Sequence, residues 1–206
     1  MGMMKIAVTP GFEIGGTLFK PEQLALIGSV IGESARIELT TFKQLYVELE
    51  EERLEEVKRK LAAKGLEVYP AGFVTKSLIT CNFCRGAEDA GLAIAEKLND
   101  MIAGITTPSP VKIGYAGCAL GTSEPLLKDI GVVKMRDTFD IYIGGDPKSL
   151  KPAFAELFIT GADAEHMMNT VHKLITYFQM NGKNKEKFNK FIRRISIDKL
   201  HEVIAN

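Results

Sequence analysis

Cys81-Asn82-Phe83-Cys84 and, further on, Gly117-Cys118-Ala119-Leu120-Gly121-Thr122 hold all three cysteines of this 206-residue chain. Three is an odd number and too few for a disulfide framework, so the close pair and the distant third thiol read as a metal site or as reactive thiols. The alanine- and leucine-rich stretch 87–101 predicts a helix that begins almost at Cys84. Unpaired N–H groups at such a helix start favour thiolate over thiol, and thiolate is the form that binds iron. The glycines of 117–121 permit a tight turn in which backbone amides approach cluster sulfurs. Two other readings stay open. Free cysteine is among the most often buried residue types, so the three thiols read equally as unrelated packing residues. Structural zinc wants a fourth nitrogen or sulfur ligand, whereas His166, His172 and His201 fall far along the chain on predicted helices.

Outward from the cysteines the periodicities alternate between strand and helix. Residues 5–9 predict a strand, and Pro21 opens a helix with Leu24, Ile27 and Ile31 on one face. Residues 36–49 alternate through Ile37, Leu39, Leu45, Val47 and Leu49, the period of one half-buried strand, which gives residues 40, 42, 44 and 46 the opposite face. Residues 51–64 predict a helix through Leu54, Val57 and Leu61, with Glu55–Arg59 and Glu56–Lys60 pairs and a stop at Gly65. Beyond the cysteines, 111–116 and 139–143 predict buried strands. From Asp163 a long helix carries Met167, Val171, Leu174 and Phe178 to a stop at Gly182, and two shorter helices follow, the last capped by Ser196 or Asp198. The pattern predicts an α+β fold.

Composition excludes some classes. With 46% hydrophobic and 25% charged residues the chain is that of an ordinary globular protein. Lys plus Arg and Asp plus Glu both number 26, so no excess of positive charge exists for nucleic acid or an anionic membrane. No apolar run approaches the roughly 20 residues of a membrane span. The opening MGMMKIAV leads into a strand rather than a signal peptide, so the expected location is cytoplasmic.

The two cysteine loops, with Leu98, Ile130-Gly131 and Asp140-Ile141-Tyr142-Ile143-Gly144-Gly145, resemble the nitrite and sulfite reductase family. So do Leu39-Thr40-Thr41 within Pro21 to Leu61, and the run Leu174-Ile175-Thr176-Tyr177-Phe178 through Asn181-Gly182, Phe188 and Ile195. The resemblance implies a ferredoxin-like half domain over 1–75. It implies an α/β sandwich siroheme and 4Fe-4S half domain with C-terminal helices over 76–206. It implies a 4Fe-4S cluster on Cys81, Cys84 and Cys118. The family spaces its first two cysteines by five residues, and its fourth cysteine, which bridges cluster and siroheme, falls on Thr122. Siroheme carboxylates are matched to Thr40, Gln44, Lys43 and Arg136, with Phe42 where the family has arginine and Tyr46 on the same face. The implied activity is reduction of a small inorganic anion, sulfite or nitrite, by electrons from an unidentified donor, with Lys112, Arg85 and Lys76 as the catalytic cations. The alternative is a non-catalytic tetrapyrrole-binding or iron–sulfur electron-transfer protein. Because full-length family enzymes contain two copies of this half-domain pair, a homodimer is expected.

Overall fold

A computed structural model of the chain describes residues 2–10, 18–32, 35–40 and 44–205. The chain divides between Gly72 and Phe73 into two compact units.

The first unit runs β1 (Met3–Pro10), α1 (Pro21–Ile31), β2 (Ile37–Leu39), β3 (Leu45–Glu50), α2 (Leu54–Ala62) and β4 (Leu66–Pro70). Its antiparallel sheet has the order β2-β3-β1-β4, and with β-α-β-β-α-β connectivity this is a ferredoxin-like arrangement. The register sets Ile6 opposite Val47 and Val8 opposite Leu45. These side chains, with Leu49 and Leu66, form one side of a core closed by Ile27, Val30 and Ile31 of α1 and by Val57 and Leu61 of α2.

Three local expectations are corrected here. Residues 36–49 are a hairpin, not one strand. The chain reverses because the Thr40 hydroxyl donates to the Gln44 carbonyl at 2.8 Å and accepts the Gln44 N–H at 3.2 Å. Ile37 and Leu39 lie on the edge strand and are exposed, and Thr40 and Gln44, expected on an outward strand face, close the turn instead. Thr41, Phe42 and Lys43 lie outside the described residues. On α1 the inward row is Gln23, Ile27, Val30 and Ile31, with Leu24 exposed. On α2 Glu56 pairs with Lys60, while Glu55 pairs with Lys58 one residue short of the expected Arg59.

The second unit contains β5 (Ile79–Thr80), α3 (Leu92–Ile102), β6 (Ile113–Ala116), β7 (Ile130–Met135), β8 (Thr138–Ile143), β9 (Glu156–Ala162), α4 (Ala164–Asn181), α5 (Phe188–Ile195) and α6 (Ile197–Ala205). Its sheet has the order β5-β6-β7-β8-β9, parallel through β7 and antiparallel beyond. The predicted face of α4 is buried through Met167, Val171, Leu174 and Phe178, and the Asp163 carboxylate caps the helix by accepting the His166 N–H at 2.8 Å. Phe178, Phe188 and Phe191 then lock α5 onto α4, with ring centroids 4.9 to 6.2 Å apart.

Candidate functional site

Because β5, β6 and β7 run parallel and β7 turns straight back into β8, three connections leave the same end of the sheet. They are the 81–91 segment, the 117–128 loop and the β7–β8 turn. The Cys81 N–H donates to the Tyr115 carbonyl at 3.1 Å, which extends the β5–β6 pairing to the first cysteine. Its sulfur is buried and accepts the Gly117 N–H at 3.3 Å, so the two cysteine loops are joined directly. Cys118 is half-buried beside this contact and Cys84 is exposed.

Position 117 admits only glycine. A Cβ there would lie 2.5 Å from the Ala90 Cβ and 2.8 Å from the Ala90 carbonyl oxygen. The same segment is pinned by Tyr115, whose hydroxyl donates to the carbonyls of Ala90 at 2.9 Å and Gly91 at 3.2 Å. Burial, and then the neighbouring Cys81 charge, push the Tyr115 phenol well above its usual range, so it remains a donor. Gly91 takes φ +73° under this hydroxyl, and α3 starts only at Leu92. The expected helix start behind Cys84 is thus corrected. Residues 84–91 are turns and irregular chain, so α3 begins eight residues after Cys84.

Arg85, Asp89, Gly117, Cys118, Lys134 and Arg136 line an open cleft of about 420 Å³. Arg136 occupies the two-residue β7–β8 turn with φ +58°, a conformation that glycine adopts more easily, and its carbonyl accepts the Lys134 ammonium. Three cations and one carboxylate therefore surround a thiol at the sheet's end, a setting that attracts a small anion.

Of the sequence-predicted residues, Cys118, Arg85 and Arg136 line this cleft and the buried Cys81 adjoins it through the Gly117 N–H, whereas the exposed Cys84 is not among the lining residues. Lys76 and Lys112 do neither. The Lys76 N–H bonds to the Val111 carbonyl at 2.8 Å, at the beginning of the strands that deliver Cys81 and Cys118 at their far ends. Four residues, 77–80, lie between positions 76 and 81, a span of roughly 16 Å for extended chain. Lys76 is buried, and burial with the nearby Lys112 charge lowers its ammonium to about 8. Beside it the Lys112 N–H donates to the Asp129 carboxylate at 2.8 Å. Burial raises that carboxyl to about 6 despite Lys112 and with help from Asp146. Thr40 and Gln44 belong to the first unit's turn, and Lys43 is outside the described residues.

Thr122 is exposed, directly after Gly121. His166 and His201 line another groove, of about 470 Å³, with no cysteine in its walls. Among the described residues no three His, Cys, Asp or Glu side chains converge as ligands of one metal ion. Sequence reading missed Phe83, Asp89 and Tyr115 as builders of the site. The one signal was Phe83 itself, a large apolar residue between two cysteines.

A family model described as the nitrite and sulphite reductase 4Fe-4S domain matches residues 77–206. A cobalt-factor III methyltransferase of Priestia megaterium is 24% identical over 193 residues, 94% of this chain and 35% of that protein. The large subunit of an NAD(P)H nitrite reductase of Klebsiella oxytoca is 27% identical over 161 residues, 74% of this chain and 16% of that protein. The chain thus spans about a third of the first relative and a much smaller part of the second. The crystal structure of dissimilatory sulfite reductase I shares the fold with a TM-score of 0.75 at 13% identity, over 99% of this chain and 69% of that one.

Proposed function

Since this chain belongs to the nitrite and sulphite reductase 4Fe-4S domain family, we propose that Cys81, Cys84 and Cys118 hold a 4Fe-4S cluster and that the adjoining cleft takes sulfite or nitrite for reduction. The observation that carries this reading is the Gly117 N–H on the Cys81 sulfur at 3.3 Å. It sets two cysteine loops side by side and aims an amide at a soft sulfur, the donor chemistry that iron–sulfur clusters take.

When bound, the cluster supplies single electrons at a potential set by its hydrogen bonds and its exposure to water. The rest falls to the chain's own groups. The Gly117 amide stabilises charge on Cys81. Arg85 and Arg136 hold the anion's oxygens by charge-assisted hydrogen bonds. Lys134, its Nζ oriented by the Arg136 carbonyl, is the ammonium placed to deliver a proton to a bound oxygen. Siroheme is assigned no step, because the Thr40 hydroxyl is engaged with the Gln44 backbone and does not fit a contact to a siroheme carboxylate.

A second reading is a non-catalytic module that carries a cluster or a tetrapyrrole for another enzyme. It is favoured by the match of 94% of this chain to part of a cobalt-factor III methyltransferase. Purification without oxygen, iron and sulfide analysis, and turnover with a reduced viologen dye separate the two. Iron and sulfide with consumption of sulfite or nitrite support the reductase; the same cluster without turnover supports the module. A protein free of iron and sulfide after cluster reconstitution overturns the cluster.

A further inference from the structure

Resting on the reading of the cleft as an anion site, we propose that Asp89 makes it selective for an oxyanion that still carries a proton, and so for hydrogensulfite over nitrite. Asp89 is the one carboxylate in a wall that also holds Arg85, Lys134 and Arg136. It makes no ion pair or side-chain hydrogen bond among the described residues, and nor do the guanidiniums of Arg85 and Arg136. Opposite charges around about 420 Å³ of open space thus stand apart instead of closing on one another.

Backbone contacts set this spacing. Asp89 sits in turns closed by the Ala90 N–H on the Gly86 carbonyl at 3.1 Å and by the Gly91 N–H on the Glu88 carbonyl at 2.9 Å. The Tyr115 hydroxyl holds the same turns from below through the Ala90 and Gly91 carbonyls. Lys134 lies against them, since a Cβ at Gly91 would come within 3.2 Å of its Cδ, and its ammonium is turned to the Arg136 carbonyl. Glu88 and Asp137, the neighbouring acids in sequence, are not in the wall.

A ligand that bridges these groups accepts hydrogen bonds from the cations and donates one to the carboxylate. Hydrogensulfite does both, because it carries one hydroxyl proton into the neutral range. Nitrite is the conjugate base of a much stronger acid, has no proton to give there, and meets Asp89 as a like charge. A site that leaves one of its own polar groups unpaired rejects the wrong ligand more strongly than shape alone does.

A metal cation is the other occupant that a carboxylate suggests, but three positive side chains to one negative repel it. The balance of charge calls for an anion, and the single carboxylate calls for a proton on it.

Calorimetric titration of the full chain, prepared without oxygen, with sulfite, nitrite and chlorate tests this. Chlorate has the pyramidal shape of sulfite and the single charge of hydrogensulfite but no proton. In mildly acidic buffer sulfite is expected to bind about tenfold more tightly than either of the others, and to lose that lead in mildly alkaline buffer as its proton leaves. Asp89→Asn, at an exposed position, should bind nitrite and chlorate about tenfold more tightly than the unaltered chain does, and sulfite without the fall toward alkaline pH. Equal affinity of the three anions for the unaltered chain, or a preference that survives Asp89→Asn, overturns the selectivity and leaves the anion cleft standing. Binding of none of them removes the cleft together with its selectivity.

Discussion

At the carboxyl end of β5 and β6, Arg85, Lys134 and Arg136 stand around an open cleft beside Cys118. At the amino end, Lys76 is almost entirely withdrawn from water and feels the charge of Lys112, whose backbone N–H donates to the Asp129 carboxylate. The same residue types thus meet two environments on one sheet. Cations in the open cleft face a ligand site, whereas at the buried end the proton affinity of Lys76 is lowered by burial and by the charge of Lys112. An anion site needs the first condition, and a folding cost at neutral pH comes with the second.

The largest effect that could break this contrast lies at the open end. Cys81→Ser and Cys118→Ser are each expected to abolish iron and sulfide uptake in protein purified without oxygen. Full iron in both variants would place any cluster elsewhere.

At the buried end the expected effect is on stability and depends on pH. The unfolded Asp129 carboxyl ionises near 3.8 and the folded one at about 6, so stability falls as pH rises between these values. Lys76 does the reverse. Unfolded it keeps its proton to 10.5, folded it releases it at about 8, so stability recovers as pH rises across that range. The two together predict a trough between about pH 6 and 8. Asp129→Asn should flatten the acid flank and Lys76→Met the alkaline flank, each by about 3 kcal/mol. Urea unfolding across pH measures both, and a Lys76→Met protein with an unaltered alkaline flank would put that ammonium in water after all.

A smaller effect is expected of Tyr115→Phe. Losing the hydroxyl leaves the Ala90 and Gly91 carbonyls short of a buried donor, a loss of about 1 kcal/mol by urea unfolding. The smallest is Arg136→Gly. Removing a side chain from the left-handed turn should raise stability by roughly 0.5 kcal/mol, the relief of strain less the entropy of glycine. The same change should weaken sulfite binding measured by calorimetry, so the cleft end alone trades stability for affinity.

How far the sequence revealed these ends depends on what each residue answers to. The long helix α4 was legible because its apolar period, its Asp163 cap and its Gly182 stop all agree. The hairpin over 36–49 was not, because alternation continues across a turn and does not reveal that Ile37 and Leu39 fall on an edge strand. Strand β9 carries Leu157, Phe158 and Ile159 in a row, without the clean alternation that announces a strand. The start of α3 was misplaced because alanine-rich propensity over 87–91 yields to the tertiary hold of Tyr115 on Ala90 and Gly91. The cysteines drew attention through their spacing, which left the metal-site and packing readings equally open. The places of Lys76 and Lys112 were not legible, since composition supplies cations but only strand direction decides which end of the sheet receives them.

Phe83 takes φ +47°, rare for so bulky a residue, and buries its ring against Tyr115 with centroids 6.2 Å apart. The midpoint of the Cys81–Cys84 loop is thereby nailed down, and the flanking thiols part, one inward and one outward. For an alkylating reagent the three cysteines of the metal-free chain are therefore three different targets. Iodoacetamide should label Cys84 first, Cys118 from the cleft next, and Cys81 only as the fold opens.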